Sequence, residues 1–143
     1  MRSFILILAV LTASPGWAAA ALVKDGGTLQ LNGVTFRLDG IDAPEFDQVC
    51  IDEHADAWTC GVEARDQLAK LVGDRQVRCG DLGLDPSYKK RHLAICTVEG
   101  ETSSLNQLLV RQGFALNFDP AGKGRFKEDE AGARDNRRGL WKG

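Results

Sequence analysis

The chain has 143 residues, 43% of them hydrophobic and 27% charged, with a formal net charge of −2. That length supports one domain with its own core. The charge balance excludes a strong non-specific grip on nucleic acid, which depends on Lys and Arg displacing counterions. Four cysteines and two distant histidines, with no C-x-x-C spacing, exclude the usual zinc frameworks.

The first segment stands apart from the rest. Arg2 supplies a positive start, Phe4 to Leu11 is an unbroken apolar run, and Pro15 and Gly16 break it. Ala18 and Ala20 then supply the small residues that a signal peptidase reads. The run is too short to span a bilayer as a helix, so residues 1–20 are read as a cleaved secretory signal. A periplasmic or secreted domain over 21–143 follows, with no membrane span after cleavage. Export puts the cysteines in an oxidising compartment, where disulfides are the default. Cys50–Cys60 and Cys79–Cys96 are the expected pairs, because each closes a short local loop.

Thr28 to Leu31 alternates apolar and polar residues, Asn32-Gly33 follows, and Val34 to Leu38 alternates again. Asn-Gly between two such runs predicts a hairpin with a type I′ turn. The stretch Phe36 to Glu45 reads F-R-L-D-G-I-D-A-P-E. It begins as a strand and stops at Pro44, which lacks an N–H and holds Ala43 extended. Arg37, Asp42 and Glu45 lie around that break. An arginine fork grips phosphate oxygens, one carboxylate holds a hard cation, and another takes a proton from water.

Residues 46–59 read as a polar, acidic loop. Gly61 to Val72 predicts a helix, with Val62, Leu68, Leu71 and Val72 toward a core and Gly73 as its stop. A short strand over Gln76 to Cys79 precedes a loop over 80–90. His92 to Val98 is the next strand, and Glu99-Gly100 a turn. Ser103 or Ser104 caps a helix carrying Leu105, Leu108 and Leu109 and ending at Gly113. Phe114 to Phe118 adds a short extended piece, and Phe126 to Arg138 a mostly polar helix ending at Gly139. Leu140 and Trp141 then fold back as apolar plugs. Short strands with helices between and after them predict an α+β fold, a small barrel with packed helices.

From Val23 to Trp141 the chain resembles the staphylococcal nuclease, or thermonuclease, family. The resemblance is carried by D-G-G-T (Asp25 to Thr28), F-R-L-D-G-I-D-A-P-E, C-G-V-E-A (Cys60 to Ala64), the Arg91 loop, L-V-R-Q-G (Leu109 to Gly113) and R-R-G-L-W (Arg137 to Trp141). It implies a five-stranded oligonucleotide/oligosaccharide-binding barrel with about three packed helices. It also implies calcium-dependent hydrolysis of DNA and RNA; the domain itself is read as a monomer. By position, Arg37 and Arg91 resemble the arginines that bind phosphate, and Glu45 the carboxylate proposed as general base. Asp42 resembles a calcium ligand, Ala43 would offer its backbone carbonyl, and Asp25 resembles an aspartate just outside that shell.

Two departures qualify the resemblance. Active members carry aspartate at the third place of D-G-x-T, where this chain has Gly27. They also place Tyr-Gly directly before the arginine, whereas Tyr88-Lys89-Lys90-Arg91 has one more residue. Extending the Asn32-Gly33 register pairs Gly27 with Leu38 and Asp25 with Gly40. Asp25 and Asp42 then share a face and hold a divalent cation weakly between them. The same parity turns Arg37 away from Asp42, so the strand must kink, and Gly40 is where it can. Two functions fit: an exported nuclease-like phosphodiesterase weakened at its cation site, or a nucleic-acid or nucleotide-binding module that has lost turnover. A disulfide-stapled structural domain of the envelope is a third.

Overall fold

The computed structural model describes residues 20–120 and 124–143; the expected signal segment, apart from Ala20, lies outside them. The fold is α+β. Three strands, β1 (Leu22–Asp25), β2 (Thr28–Leu31) and β3 (Val34–Leu38), run as an antiparallel meander. Two-residue strands β4 (Ile41–Asp42), β5 (Cys50–Ile51) and β6 (Ala57–Trp58) precede helix α1 (Cys60–Val72). Strands β7 (Val77–Leu84) and β8 (His92–Val98) follow, then α2 (Leu105–Arg111), β9 (Leu116–Asn117), α3 (Lys127–Asp135) and a 3₁₀ turn at Gly139–Lys142.

Five strands form one mixed sheet in the order β1-β2-β3-β8-β7, with β3 and β8 parallel. The expected five strands and three helices are present. The closed barrel is not, because β1 and β7 share no ladder among the described residues. Period-2 alternation sends Leu29, Phe36, Leu38, Ala94, Cys96 and Val98 into the core. Helix α1 covers them with Ala64, Leu68 and Val72, spaced four apart on one face, and α2 with Leu105, Leu108 and Leu109. Val62 is only half-buried.

Asn32 and Gly33 both take positive φ (51° and 79°), as a type I′ turn requires, and Leu31 pairs with Val34. The predicted register holds as far as Gly27, whose carbonyl accepts from Leu38 N at 2.8 Å. There it ends. Gly26-Gly27 is itself a turn, so Asp25 pairs with Thr28 and not with Gly40. The polar loop over 46–59 contains the β5–β6 hairpin. Its tip is organised by Asp52, whose carboxylate accepts from His54 N and Asp56 N at 2.8 and 3.0 Å. Strand β7 runs five residues past its expected end, with a register shift between Asp81 and Leu84. Helix α3 stops before its expected end because Arg137 turns at φ 52° and Gly139 at 54°.

Both expected disulfides are formed, Cys50–Cys60 and Cys79–Cys96. The second joins directly paired residues of β7 and β8 and closes a loop with a sequence separation of 17. Replacing both Cys79 and Cys96 with alanine is expected to cost about 3 kcal/mol, chiefly by freeing the unfolded chain. Urea denaturation under oxidising conditions checks it.

Candidate functional site

Arg37 sits between Phe36 and Leu38 on β3, so strand alternation points it away from the core those two enter. The chain then breaks. Asp39 N bonds to Ala94 O at 2.9 Å, and Gly40 takes φ 78°, a value that favours glycine. A Cβ at Gly40 would also press on Arg125 and Phe126, at 3.0 and 3.1 Å. This is the kink that parity demanded. It buries Ile41 and carries the chain through buried Pro44 to exposed Glu45.

Glu45 is held by its backbone. Gln48 N donates to the Glu45 carbonyl at 3.0 Å, and Gly61 N to the Gln48 carbonyl at 3.1 Å. The Cys50–Cys60 bridge ties the same loop to the first residue of α1. A Cβ at Gly61 would lie 1.9 Å from the Glu45 carbonyl oxygen, so only glycine lets the helix start pass this close. Sequence reasoning missed this role of Gly61; its signal was a glycine beside a bridged cysteine in a first helical turn.

Arg91 closes the loop between β7 and β8. Its Nε donates to buried Asp85 at 2.6 Å, and its guanidinium lies 5.5 Å from the centre of the Tyr88 ring. Asp85 also accepts from Ser87 N at 2.8 Å, while its own N–H bonds to the Arg91 carbonyl at 3.0 Å. One aspartate thus clasps both ends of the loop that has the extra residue. Burial pushes the Asp85 carboxyl upward, but the bonds from Arg91 and Ser87 and the charges of Arg91 and Arg37 outweigh it. Its pKa is lowered from the ordinary carboxylate value. Asp85 was not among the residues singled out from sequence.

Asp25, Arg37, Ala43, Glu45 and Arg91 line one cleft of about 30 Å³, beside Gly27 and Thr28. It has room for a water molecule or two, so a phosphate group would dock its oxygens at the mouth. Asp42 is not there. It is exposed on β4 and lines an adjoining cavity of about 340 Å³, which shares Ala43 and Glu45 with the cleft. A third cavity, about 280 Å³, shares Arg37 with the cleft on its other side and reaches Asp85 and Phe118. Among the described residues, Arg37, Asp42 and Glu45 make no ion pair, so they are not a structural salt-bridge cluster. Lys89, Lys90 and His54 are exposed, and His92 pairs with Asp81 at 2.8 Å.

A calcium ion of the family's kind does not fit these donors. Gly27 offers no side chain, Asp25 Oδ1 already accepts from Gly27 N at 2.8 Å, and Asp42 lies in the neighbouring cavity. Among the described residues no three acidic, His or Cys side chains come together for a metal. Hard cations of this size take six or more oxygens.

The family model described as "Staphylococcal nuclease homologue" matches residues 35–143. Arg37, Asp42, Glu45 and Arg91 fall inside that range, and the Asp25–Thr28 turn outside it. Among curated proteins, the succinoglycan biosynthesis protein ExoI of Rhizobium meliloti (strain 1021) is 32% identical over 123 residues. The match covers 85% of this chain and 63% of that protein, so the chain spans less than two thirds of its relative's length.

Proposed function

Because the chain belongs to the staphylococcal nuclease homologue family, we propose that it receives a nucleic-acid phosphodiester at the Arg37–Arg91 cleft and hydrolyses it slowly. The carrying observation is that both guanidiniums and Glu45 line one cleft, all from a single chain. A monomer therefore suffices. Arg37, with no carboxylate within ion-pair distance among the described residues, grips phosphate oxygens through its fork. Arg91 spends Nε on Asp85 and keeps its terminal nitrogens for the same phosphate. Glu45, exposed and without an ion pair among the described residues, takes the proton from an attacking water, while the guanidiniums offset the charge that builds on phosphorus oxygens.

Gly27 favours a second reading, a module that binds the phosphodiester without turnover. One experiment separates the two. The purified protein is incubated with single-stranded DNA, and binding of a nucleoside 3′,5′-bisphosphate is measured alongside. Arg37→Ala is expected to weaken the bisphosphate by about tenfold, the loss of one charge-assisted fork. Glu45→Gln is expected to keep binding and lose cutting. Binding without any cutting in the wild type selects the second reading, and absence of both rejects the cleft.

The site of action is proposed to be outside the cytoplasm, the periplasm or the medium, with residues 1–20 as the export signal. Two disulfides and the likeness to a protein of succinoglycan biosynthesis support this. No helix among the described residues is long and apolar enough to cross a membrane.

A further inference from the structure

We infer that the 340 Å³ cavity beside the cleft is a nucleoside subsite, in which Trp141 stacks the base next to the bound phosphate on the Glu45 side. The inference rests on the phosphodiester reading of the cleft. Its size falls within the range of small-molecule sites, about 300–1,000 Å³. Its walls are mixed. Pro44, Leu116, Leu140 and Trp141 give apolar surface, while Asp42 and Gln48 give hydrogen-bonding groups.

Charge narrows the occupant. The titratable groups lining the cavity, Asp42 and Glu45, are both acidic, so a second phosphate is repelled. A neutral ring bearing N–H and O–H donors suits the two carboxylates and the Gln48 amide. Trp141 adds a π-face, and base–aromatic stacking is tolerant of base identity. Arg134 lies 5.3 Å from the centre of the Trp141 ring. The indole Nε1 is buried and finds no acceptor among the described residues.

Position supplies the rest. Ala43 and Glu45 wall both the cavity and the cleft, and Arg37 walls both the cleft and the Phe118 cavity. The three spaces follow one another, with the phosphate site in the middle. A strand whose phosphate docks at Arg37 and Arg91 sends one neighbouring nucleoside past Glu45 into the Trp141 cavity.

The test compares three probes on the full chain by calorimetry, with chelator present. One is thymidine 3′,5′-bisphosphate. The others are the two dinucleotides made by esterifying either of its phosphates with a second thymidine. One dinucleotide is expected to bind about tenfold tighter than the bisphosphate, despite its lower charge. Trp141→Leu, which keeps an apolar side chain against the fold, is expected to erase that gain and leave the bisphosphate affinity within about twofold. Trp141→Phe is expected to restore most of it. Two equal affinities in the wild type, or a gain that survives Trp141→Leu, overturn the subsite while leaving the cleft intact. Failure of all three probes to bind overturns the cleft, and the subsite with it.

Discussion

Gly27→Asp is expected to give the protein a calcium response that the wild type lacks. The backbone accepts the change, since Gly27 is not among the glycines with positive φ. A Cβ there meets Ala43 Cβ at 3.3 Å and Asp25 Oδ1 at 3.9 Å, tight against one methyl and otherwise ordinary contact. The new carboxylate lies beside Asp25 at the lip of the cleft. Without a cation the two negative charges repel, and the melting temperature falls slightly. With calcium at a hundred times its dissociation constant, the folded state gains about 2.7 kcal/mol, a shift of several degrees. Cutting of single-stranded DNA in calcium is expected to rise at least about tenfold and to fall back to the wild-type rate with chelator, as the added carboxylate joins Asp25 and Glu45 at the cleft. The thermal shift is the primary readout, because it does not depend on turnover. A wild type stabilised by calcium as strongly as the variant would mean that the native donors already suffice.

Local chemistry made much of this fold legible. Asn32-Gly33 declared its hairpin, His92–Val98 its strand, and the two short cysteine spacings their bridges. Even the Gly40 kink was readable, because Arg37 and Asp42 could not share a straight strand with their expected roles. What escaped depends on partners distant in sequence, or on strands too short for periodicity. Strand β1 has only four residues, too few to show alternation before its Gly26-Gly27 turn, so Asp25 was carried along β2 instead of back onto it. The β5–β6 hairpin owes its shape to the Cys50–Cys60 bridge and the Asp52 turn rather than to alternation. Arg37, Glu45 and Arg91 line one cleft, whereas Asp42 lines the next cavity. The residues that hold the cleft in shape, Gly61 and Asp85, carry no periodic signal, since their roles arise from close approach and burial.

Asn106 is the clearest such case and carries the second large expected effect. It lies in α2 within L-N-Q-L-L, where helical periodicity reads it as one more polar position between leucines. It is fully buried. Its Oδ1 accepts from Cys96 N at 3.1 Å, and its Nδ2 donates to the Asp39 and Ala94 carbonyls at 2.8 and 3.0 Å. One amide therefore joins α2 to β8 and to the corner where the chain leaves β3. Asn106→Leu keeps the branching and the number of side-chain heavy atoms and removes all three bonds. Ala94 O still has Asp39 N, but Cys96 N is left buried, and Asp39 O part-buried, without this partner. At about 1–3 kcal/mol for each orphaned group, the variant is expected to lose about 3–5 kcal/mol in denaturant unfolding. A loss below about 1 kcal/mol would show that water or a backbone shift satisfies both groups. The corner it releases sets the angle between Arg37, two residues upstream of Asp39, and Glu45, beyond the Gly40 turn. Bisphosphate affinity should therefore fall even where the variant remains fully folded. A core lesion away from this corner, such as Val72→Ala at the end of α1, removes packing without that loss of affinity.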